Sequence, residues 1–503
     1  MLSVKFVEAI KIFCGFTQKK EKSEDCIFVE DNDKLLLIAN EKYLSAKVIG
    51  DNLGTNVYVL SNKRTKDREN MIESYRFKRI YLDSIKLRHL IYSIIRSFIL
   101  ITKADGETIL DYSIEGIKCG DLIYDSIIMR CNHVFTLTSL KNRIALREVI
   151  LMHYTYYCIK EQFNRYNPRL FIAQDLVYRD GFISRYAKKY GADIMLLTTG
   201  RPSYLIKANE KIDICFPRLY ENSIREAMVS LEEDWEEQAN DELDRLYQGK
   251  WDWNAQNAFK NKIVTDKETL LTELGINNGK KNIVVMAHCF SDAPHGNGSG
   301  SELYKDYYTW LKSTIEIAER IDDVNWLVRP HPSRVNYGEE GVVEALCEGK
   351  NGITIMPDKY STLMVAKVAD CVITVNGSAG MELPCMGVPC INAGKPFYSN
   401  FGFSICPNSI EEYEEVLRNS SSIRPLSEKQ VQEAKKVLLL FHRIARENDD
   451  YYDACYKIHQ QYCVDKDVEA ANREYIELFY ENVKSGKIKT TYNYKYANQL
   501  TLI

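Results

Sequence analysis

Short apolar runs bounded by turn residues recur along most of this chain, with stretches of helical spacing between them. Residues 57–60 (VYVL) and 35–38 (LLLI) read as strands, as do 169–174 and 192–197. Between the last two, residues 182–190 carry a short helical pattern that Gly191 ends. Strand and helix alternating in this way predict an open parallel sheet. From Ser223 to about Asn278 the pattern turns helical and charged, with WDW at 251–253, and reads as a helical connector. A second alternating block follows, with strands at 282–287, 324–328, 353–355, 371–375 and 388–392. Within it, Leu303, Tyr307, Leu311, Ile315 and Ala318 recur at helical spacing, after a Gly/Ser-rich loop at 295–301. Residues 427–485 are again helical and amphipathic. The chain therefore divides into two α/β domains at 1–222 and 281–426, a connector at 223–280, and C-terminal helices at 427–503 that cross back over the domains. A length of 503 residues fits two large domains better than one core.

Composition narrows the function classes. A net charge of −4 gives no global basic field for nucleic acid. The fourteen cysteines form no CxxC and no zinc spacing, and Cys385 and Cys390 flank a Gly-Val-Pro turn as packing residues, which fits a reducing cytoplasmic setting. Residues 1–17 are weakly amphipathic, with Glu8 and Lys11 interrupting them, and do not read as a signal peptide. The apolar run 90–102 carries Arg96, is too short to span a bilayer, and reads as a core helix ahead of the alternative, a membrane-surface helix. The Lys/Arg-rich stretch 63–88 could serve as a membrane-facing patch or as a solvated helical face.

The candidate chemistry gathers at predicted strand ends. RPHP at 329–332 closes one strand, with Pro330 and Pro332 stiffening the backbone around His331. NGSAG at 376–380 reads as a Gly-rich turn into a helix, where Gly377 and Gly380 allow close approach and Ser378 caps the helix or meets a phosphate oxygen. Glu382 lies one turn further and suits a ribose diol, and Pro384 falls awkwardly inside that helix. Arg329 and His331 would neutralise the remaining phosphate charge. Lys395 and Tyr398, in AGKPFY at 393–398, could line a sugar pocket or belong to the core. His288 and Asp292, in HCFSD at 288–292, are acid/base candidates at the same sheet edge. From the first half, Asp175 would face the cleft, Asp180 reads as a cap, and the segment 116–125 could form a substrate loop. There is no Walker loop and no HExxH. DND at 31–33 and DKD at 465–467 lack the setting of a metal-binding Asp-x-Asp, so neither a metal nor another cofactor is expected.

AH at 287–288 with SD at 291–292, DYYTWL at 306–311, NW at 325–326 with RPHP, and GSAGME at 377–382 followed by GVP at 387–389 and AGKPFY resemble the bacterial capsule polysaccharide biosynthesis family. That family includes retaining β-Kdo transferases. The resemblance is dense over 282–417 and thins in the first half to 120–125 and 175–181. It implies an α/β fold of the GT-B type: two facing Rossmann-like domains with parallel sheets, a nucleotide sugar in the cleft between them, and a C-terminal helical region. It also implies that His331 and Pro332 contact the donor, that Gly377, Ser378 and Ala379 hold phosphate, and that Glu382 binds ribose. The expected activity is a metal-independent glycosyltransferase using CMP-Kdo or a similar donor, with Asp175, Asp292 and His288 as catalytic candidates. The expected acceptor is a saccharide or lipid-linked saccharide, handled in the cytoplasm at the inner face of the membrane with peripheral association. Arg329-Pro330 before the His-Pro pair, Asn376-Gly377 and Pro384 depart from the family pattern. The alternatives are a polyol-phosphate transferase, a nucleotide-sugar epimerase, or a non-catalytic binding subunit of a capsule assembly complex.

Overall fold

The structure is a computed structural model. It describes residues 25–31, 35–61, 65–82, 86–131, 133–197, 204–209, 216–250, 253–276, 279–298, 302–445 and much of 454–484. Residues 1–17, 32–33, 251–252 and 299–301, which bear on several expectations above, lie outside these.

The first sheet is built from β1 (Cys26–Asp31), β2 (Asn56–Ser61) and β3 (Lys78–Tyr81), then, after a small hairpin of β4 (Ser113–Ile114) and β5 (Ile117–Lys118), from β6 (Pro168–Ala173), β7 (Asp193–Leu196) and β8 (Tyr204–Ile206). Its order is β3-β2-β1-β6-β7-β8, parallel except for antiparallel β8 at the edge. The second sheet comprises β9 (Lys281–Met286), β10 (Val324–Arg329), β11 (Ile353–Ile355), β12 (Cys371–Thr374), β13 (Cys390–Asn392) and β14 (Ser404–Ile405). Its order is β11-β10-β9-β12-β13-β14, parallel throughout. Each sheet starts at its centre, builds outward to one edge, then returns and builds to the other. That is the Rossmann order, and it leaves a crevice where the direction of winding reverses. In the first domain the crevice lies beyond β1 and β6; in the second it lies beyond β9 and β12. Two such domains facing one another are the GT-B plan.

The residues that set the elements are mostly those the pattern marked, with one correction. Residues 35–38 do not form a strand: Leu35 caps the helix Leu36–Leu53. The first strand is β1, buried along its whole length despite Glu30 and Asp31. Asp31 is tolerated there because it accepts from Tyr43 Oη at 2.8 Å and pairs with Arg68. A buried carboxylate needs such partners. Cys385 and Cys390 are separate buried thiols.

The chain returns across its domains at the C-terminal end. The helix Glu428–Ala445 packs on the helices Phe216–Met228 and Trp235–Tyr247 and on the turn after Glu382. The helix Val468–Lys484 reaches the first domain, where Asn472 Oδ1 accepts from the Leu36 N–H at 3.1 Å and Tyr475 joins the core beside Leu36 and Tyr43.

The domains also meet through the helix Gly120–Arg130, buried from Gly120 through Ile128. Tyr124 Oη donates to Asp306 Oδ2 of the second domain at 2.6 Å and accepts from the Leu137 N–H at 2.8 Å. Asp306 also caps the helix Tyr307–Ala318 through Thr309 N. Nearby, Phe135 stacks on Tyr308 with centroids 5.9 Å apart. Tyr124→Phe removes both bonds of a buried hydroxyl, a loss of about 2 kcal/mol. The variant should melt at lower temperature and exchange the Leu137 amide faster. Unchanged melting and unchanged Leu137 exchange would mean that the contact is not made in solution.

Candidate active site in the interdomain cleft

The second domain's crevice is closed at its back by His288, immediately beyond β9. Its Nε2 accepts from the N–H groups of Val375 and Asn376, both at 3.3 Å, and lies 3.0 Å from Thr374 Oγ1. The ring stacks on Tyr307 with centroids 4.3 Å apart. Burial, with His331 nearby, pushes its pKa down to about 3. An Nε2 occupied as an acceptor for two amides on a neutral ring is poorly suited to take a substrate proton. His288 ties the end of β9 to the start of the 376–380 turn, and so acts by position.

His331 is also neutral. Its Nδ1 accepts from the Ser333 N–H at 3.1 Å and lies 3.1 Å from Cys289 Sγ. Burial first, and then Arg329, lower its pKa to about 4. The ring therefore carries its hydrogen on Nε2 and can offer a phosphate a hydrogen bond but not a positive charge. Arg329 does not supply that charge at the open surface. It is only 2% exposed, and its Nη2 donates to the Tyr360 carbonyl at 2.7 Å beneath the helix Thr362–Val368. Its Nε and Nη1 have no hydrogen-bond partner, and burial lowers its pKa to about 10.

The 376–380 turn is shaped by what lies behind it. A Cβ on Gly380 would sit 2.3 Å from Tyr398 Oη and 2.9 Å from Asn392 Oδ1. Tyr398, fully buried, donates to the Gly377 carbonyl at 2.6 Å, so it braces the turn and does not line a sugar pocket. The glycines thus answer an internal approach. The helix that follows is only Ala379–Glu382, too short to carry much of a dipole. Pro384 opens a separate 3-10 turn, Pro384–Met386, where its missing N–H breaks no helical bond. Ser378 is exposed and makes no side-chain cap, which leaves its hydroxyl facing outward. Glu382 is half-buried, and exposed Lys395 donates to Asn408 Oδ1 at 2.8 Å.

Carboxylates from both domains gather around Tyr178, and Glu302 bonds to Asn376 of the turn. Asp175 follows β6 and accepts from the Leu176 N–H at 2.7 Å. Asp292 accepts from the Tyr337 hydroxyl. Asp125 is fully buried; its Oδ1 lies 2.7 Å from His295 Nδ1, and its Oδ2 accepts from the Gly296 N–H at 2.9 Å. Burial opposes a charge on His295, but Asp125 outweighs it and the imidazole pKa is raised. His295 Nε2 is buried without a partner. Glu302 accepts from Asn376 Nδ2 at 2.9 Å, and burial pushes its pKa up to about 7. The fields of Asp292, Asp125 and Asp175 all reach Tyr178, whose hydroxyl pKa burial and these charges raise together. Among the described residues, no three His, Cys, Asp or Glu side chains are grouped to hold a metal.

Two strained residues border the cleft. Tyr178 has φ +53 and Ala293 has φ +42, an arrangement rare for side chains of this kind. They meet where Tyr178 Oη donates to the Ser291 carbonyl at 3.4 Å. The Ser291 segment is held by buried Glu339, which accepts from the N–H groups of Phe290 and Ser291 at 2.8 and 2.9 Å. His295, Glu302, Tyr178 and Tyr337 were not picked out as site residues by sequence reasoning, and Asp125 entered only as the last residue of the 116–125 segment, which is a buried helix start and not a loop from Gly120 on. One signal was present: a lone Asp in the apolar run 122–128 needs a buried partner.

No known family profile matches the chain, and no curated protein matches it. Among solved structures, a beta Kdo 2,4 transferase, KpsC of Thermosulfurimonas dismutans, is similar at TM-score 0.35 and 11% identity, covering 55% of this chain and 79% of that one. UDP-GlcNAc 2-epimerase from Neisseria meningitidis aligns at TM-score 0.25 and 10% identity, over 82% of this chain and 94% of its own. Acinetobacter baumannii MurG aligns at TM-score 0.26 and 9% identity, over 87% and 99%. At such scores none of them bears on chemistry, and the two-domain plan stands on the strand orders themselves.

Glu302 gives the cleft a measurable titration. The folded protein holds its proton up to about pH 7, whereas the ordinary value is 4.5. Between those values the native state binds more protons than the unfolded chain, so stability falls as pH rises. The groups acting on Glu302 are His295, Asp125 and Asn376. Glu302→Gln lacks this titration, so its melting temperature should gain on that of the parent as pH rises from about 5 to 8. Parallel melting profiles would show that Glu302 has an ordinary pKa.

Proposed function

We propose that this chain is a glycosyltransferase that moves a sugar from a nucleotide-sugar donor, CMP-Kdo or a similar compound, to a growing surface polysaccharide. The observation that carries this reading is the gathering of Asp175, Asp292 and the Asp125–His295 pair, from both domains, around Tyr178, with Glu302 bonded to Asn376 of the turn. Donor chemistry needs hydrogen-bond donors on the phosphate and acid/base groups at the anomeric carbon.

In this reading Ser378, the turn amides and His331 Nε2–H stabilise charge that develops on the leaving phosphate, without a metal. Glu382 serves the ribose. Asp175 or Asp292 acts at the anomeric carbon. His295, its Nδ1–H oriented by Asp125, accepts the proton of the acceptor hydroxyl on its unpartnered Nε2. The acceptor is a saccharide or lipid-linked saccharide on the cytoplasmic side of the membrane. A nucleotide-sugar epimerase is the second reading, because Glu302 and the Asp125–His295 pair put two proton-exchanging groups in one cleft.

A panel of CMP-, UDP-, GDP- and CDP-linked sugars, followed by NMR with and without saccharide acceptors, tests both readings. Transfer or donor hydrolysis supports the first, epimerised nucleotide sugar without acceptor supports the second, and neither binding nor turnover of any donor overturns both. With a working donor, His331→Ala and Ser378→Ala should each lower kcat/KM about 10²-fold. His295→Gln should lower kcat by about 10²–10⁴-fold with little change in donor affinity. A His295→Gln enzyme as fast as the parent would remove His295 from the chemistry.

A further inference from the structure

The helix Leu87–Lys103 is inside out. Its buried face carries His89, Ser93 and Ser97 beside Tyr92 and Leu100. Its outer face carries Leu87 at 69% exposure, Ile91 at 46%, Phe98 at 51% and Ile99 at 40%. These four fall at helical spacing on one side. The run that reads as a core helix from its composition therefore leaves Ile91, Phe98 and Ile99 to solvent.

The inward polar groups fix this rotation. Ser93 Oγ donates to the His89 carbonyl at 2.7 Å, and Ser97 Oγ lies 2.9 Å from His153 Nδ1 on the neighbouring helix Arg143–Tyr166. His153 Nε2 in turn lies 2.8 Å from Tyr112 Oη. His89 Nε2 faces Glu161 Oε2 at 3.3 Å. Turning the helix to bury Ile91 and Phe98 would break this network and leave its polar atoms unpaired.

Charge says what the outer face suits. The helix contains Arg88, Arg96 and Lys103 and no Asp or Glu, and Lys86 is its N-cap residue. Glu161, on the neighbouring helix, is tied up by Lys86 and by Arg88 at 3.1 Å. Beyond the C-terminal end, Asp105 caps its own turn through Thr108, and Glu107 pairs with Lys305 at 2.8 Å. A second copy of the chain would bring the same cations face to face across the contact, which disfavours self-association. Arg96 turns inward over the Tyr157 ring, so the cations beside the stripe are Lys86, Arg88 and, at its C-terminal end, Lys103, a pattern that matches an anionic lipid surface. No described helix is long and apolar enough to cross a membrane, so this one would lie along the surface.

We propose that the Leu87–Lys103 helix docks the protein on an anionic phospholipid bilayer, with Leu87, Ile91, Phe98 and Ile99 inserted at the headgroup boundary. The surface is separate from the cleft, and the inference holds or fails independently of the reaction proposed above.

The test is sedimentation of the full chain with phosphatidylcholine vesicles, with and without phosphatidylglycerol. The expected result is binding to the phosphatidylglycerol vesicles that weakens with added salt. Ile91→Ser with Phe98→Ser should lower the partition coefficient about tenfold while leaving the melting temperature unchanged. Lys103→Gln should lower it about fivefold, and only on anionic vesicles. Absence of vesicle binding, or equal binding by the Ile91→Ser/Phe98→Ser variant, overturns the proposal. So does a dimer in light scattering that the same variant makes monomeric, since the stripe would then be a self-interface. A fall in the variant's melting temperature also overturns it, because the stripe would then be covered by the chain itself.

Discussion

The cleft depends on one carboxylate. Asp125 sits fully buried in a helix that is itself buried along most of its length, so its charge has no water to meet it. Its partners come from the other domain: His295 Nδ1 at 2.7 Å and the Gly296 N–H at 2.9 Å. A buried ion with its partners removed is far more costly than the same ion paired. The requirement therefore draws the start of the Pro294–Gly298 helix onto the first domain. Gly296 has to be a glycine for the approach, since a Cβ there would sit 2.7 Å from Val177 Cγ1. Next to Val177, Tyr178 takes up its strained backbone, and on the opposite side Ala293 does the same. Domain contact and site geometry thus have a single physical origin.

The strand orders explain why that contact falls where chemistry is possible. Both sheets reverse their winding beside their first strand, and loops leaving adjacent strands on opposite sides open a crevice there. Asp175 emerges at the crevice of the first sheet. His288, Asp292 and the 376–380 turn emerge at the crevice of the second. The His288 bonds to the Val375 and Asn376 amides then lock the two loops of the second crevice together. The neutral state of that imidazole is a condition of the lock, because a protonated Nε2 could not accept.

Much of the architecture was legible in the sequence, because parallel strands buried on both faces leave unbroken apolar runs such as 283–285 and 371–373. The first strand was missed for the complementary reason. Glu30 and Asp31 interrupt its apolar pattern, and the Arg68 and Tyr43 that compensate Asp31 lie on other elements. The 376–380 turn was recognised from its glycines, but its purpose was misplaced: Gly380 admits Tyr398 and Asn392 from behind. Arg329 was placed in the cleft by its neighbours in sequence, and the alternation of β10 sends it into the buried layer by Tyr360 instead. The Asp125–His295 pair is 170 residues apart in the chain, and no local pattern encodes such a meeting.

The protonation states give the cleft a sign. His288 and His331 are neutral and Arg329 is closed off, so the second domain's open edge presents hydrogen-bond donors but little positive charge. The carboxylates Asp175, Asp292 and Asp125 gather around Tyr178, and Glu302 meets Asn376. An anionic ligand entering such a site meets repulsion unless some of that charge is withdrawn. One device withdraws it: the raised pKa of Glu302 keeps its carboxyl partly protonated near neutrality. That shift depends on burial, since solvent would restore the ordinary value. The same burial that makes Asp125 costly to expose therefore lowers the negative charge of the cleft, and domain contact and cleft charge act on one equilibrium.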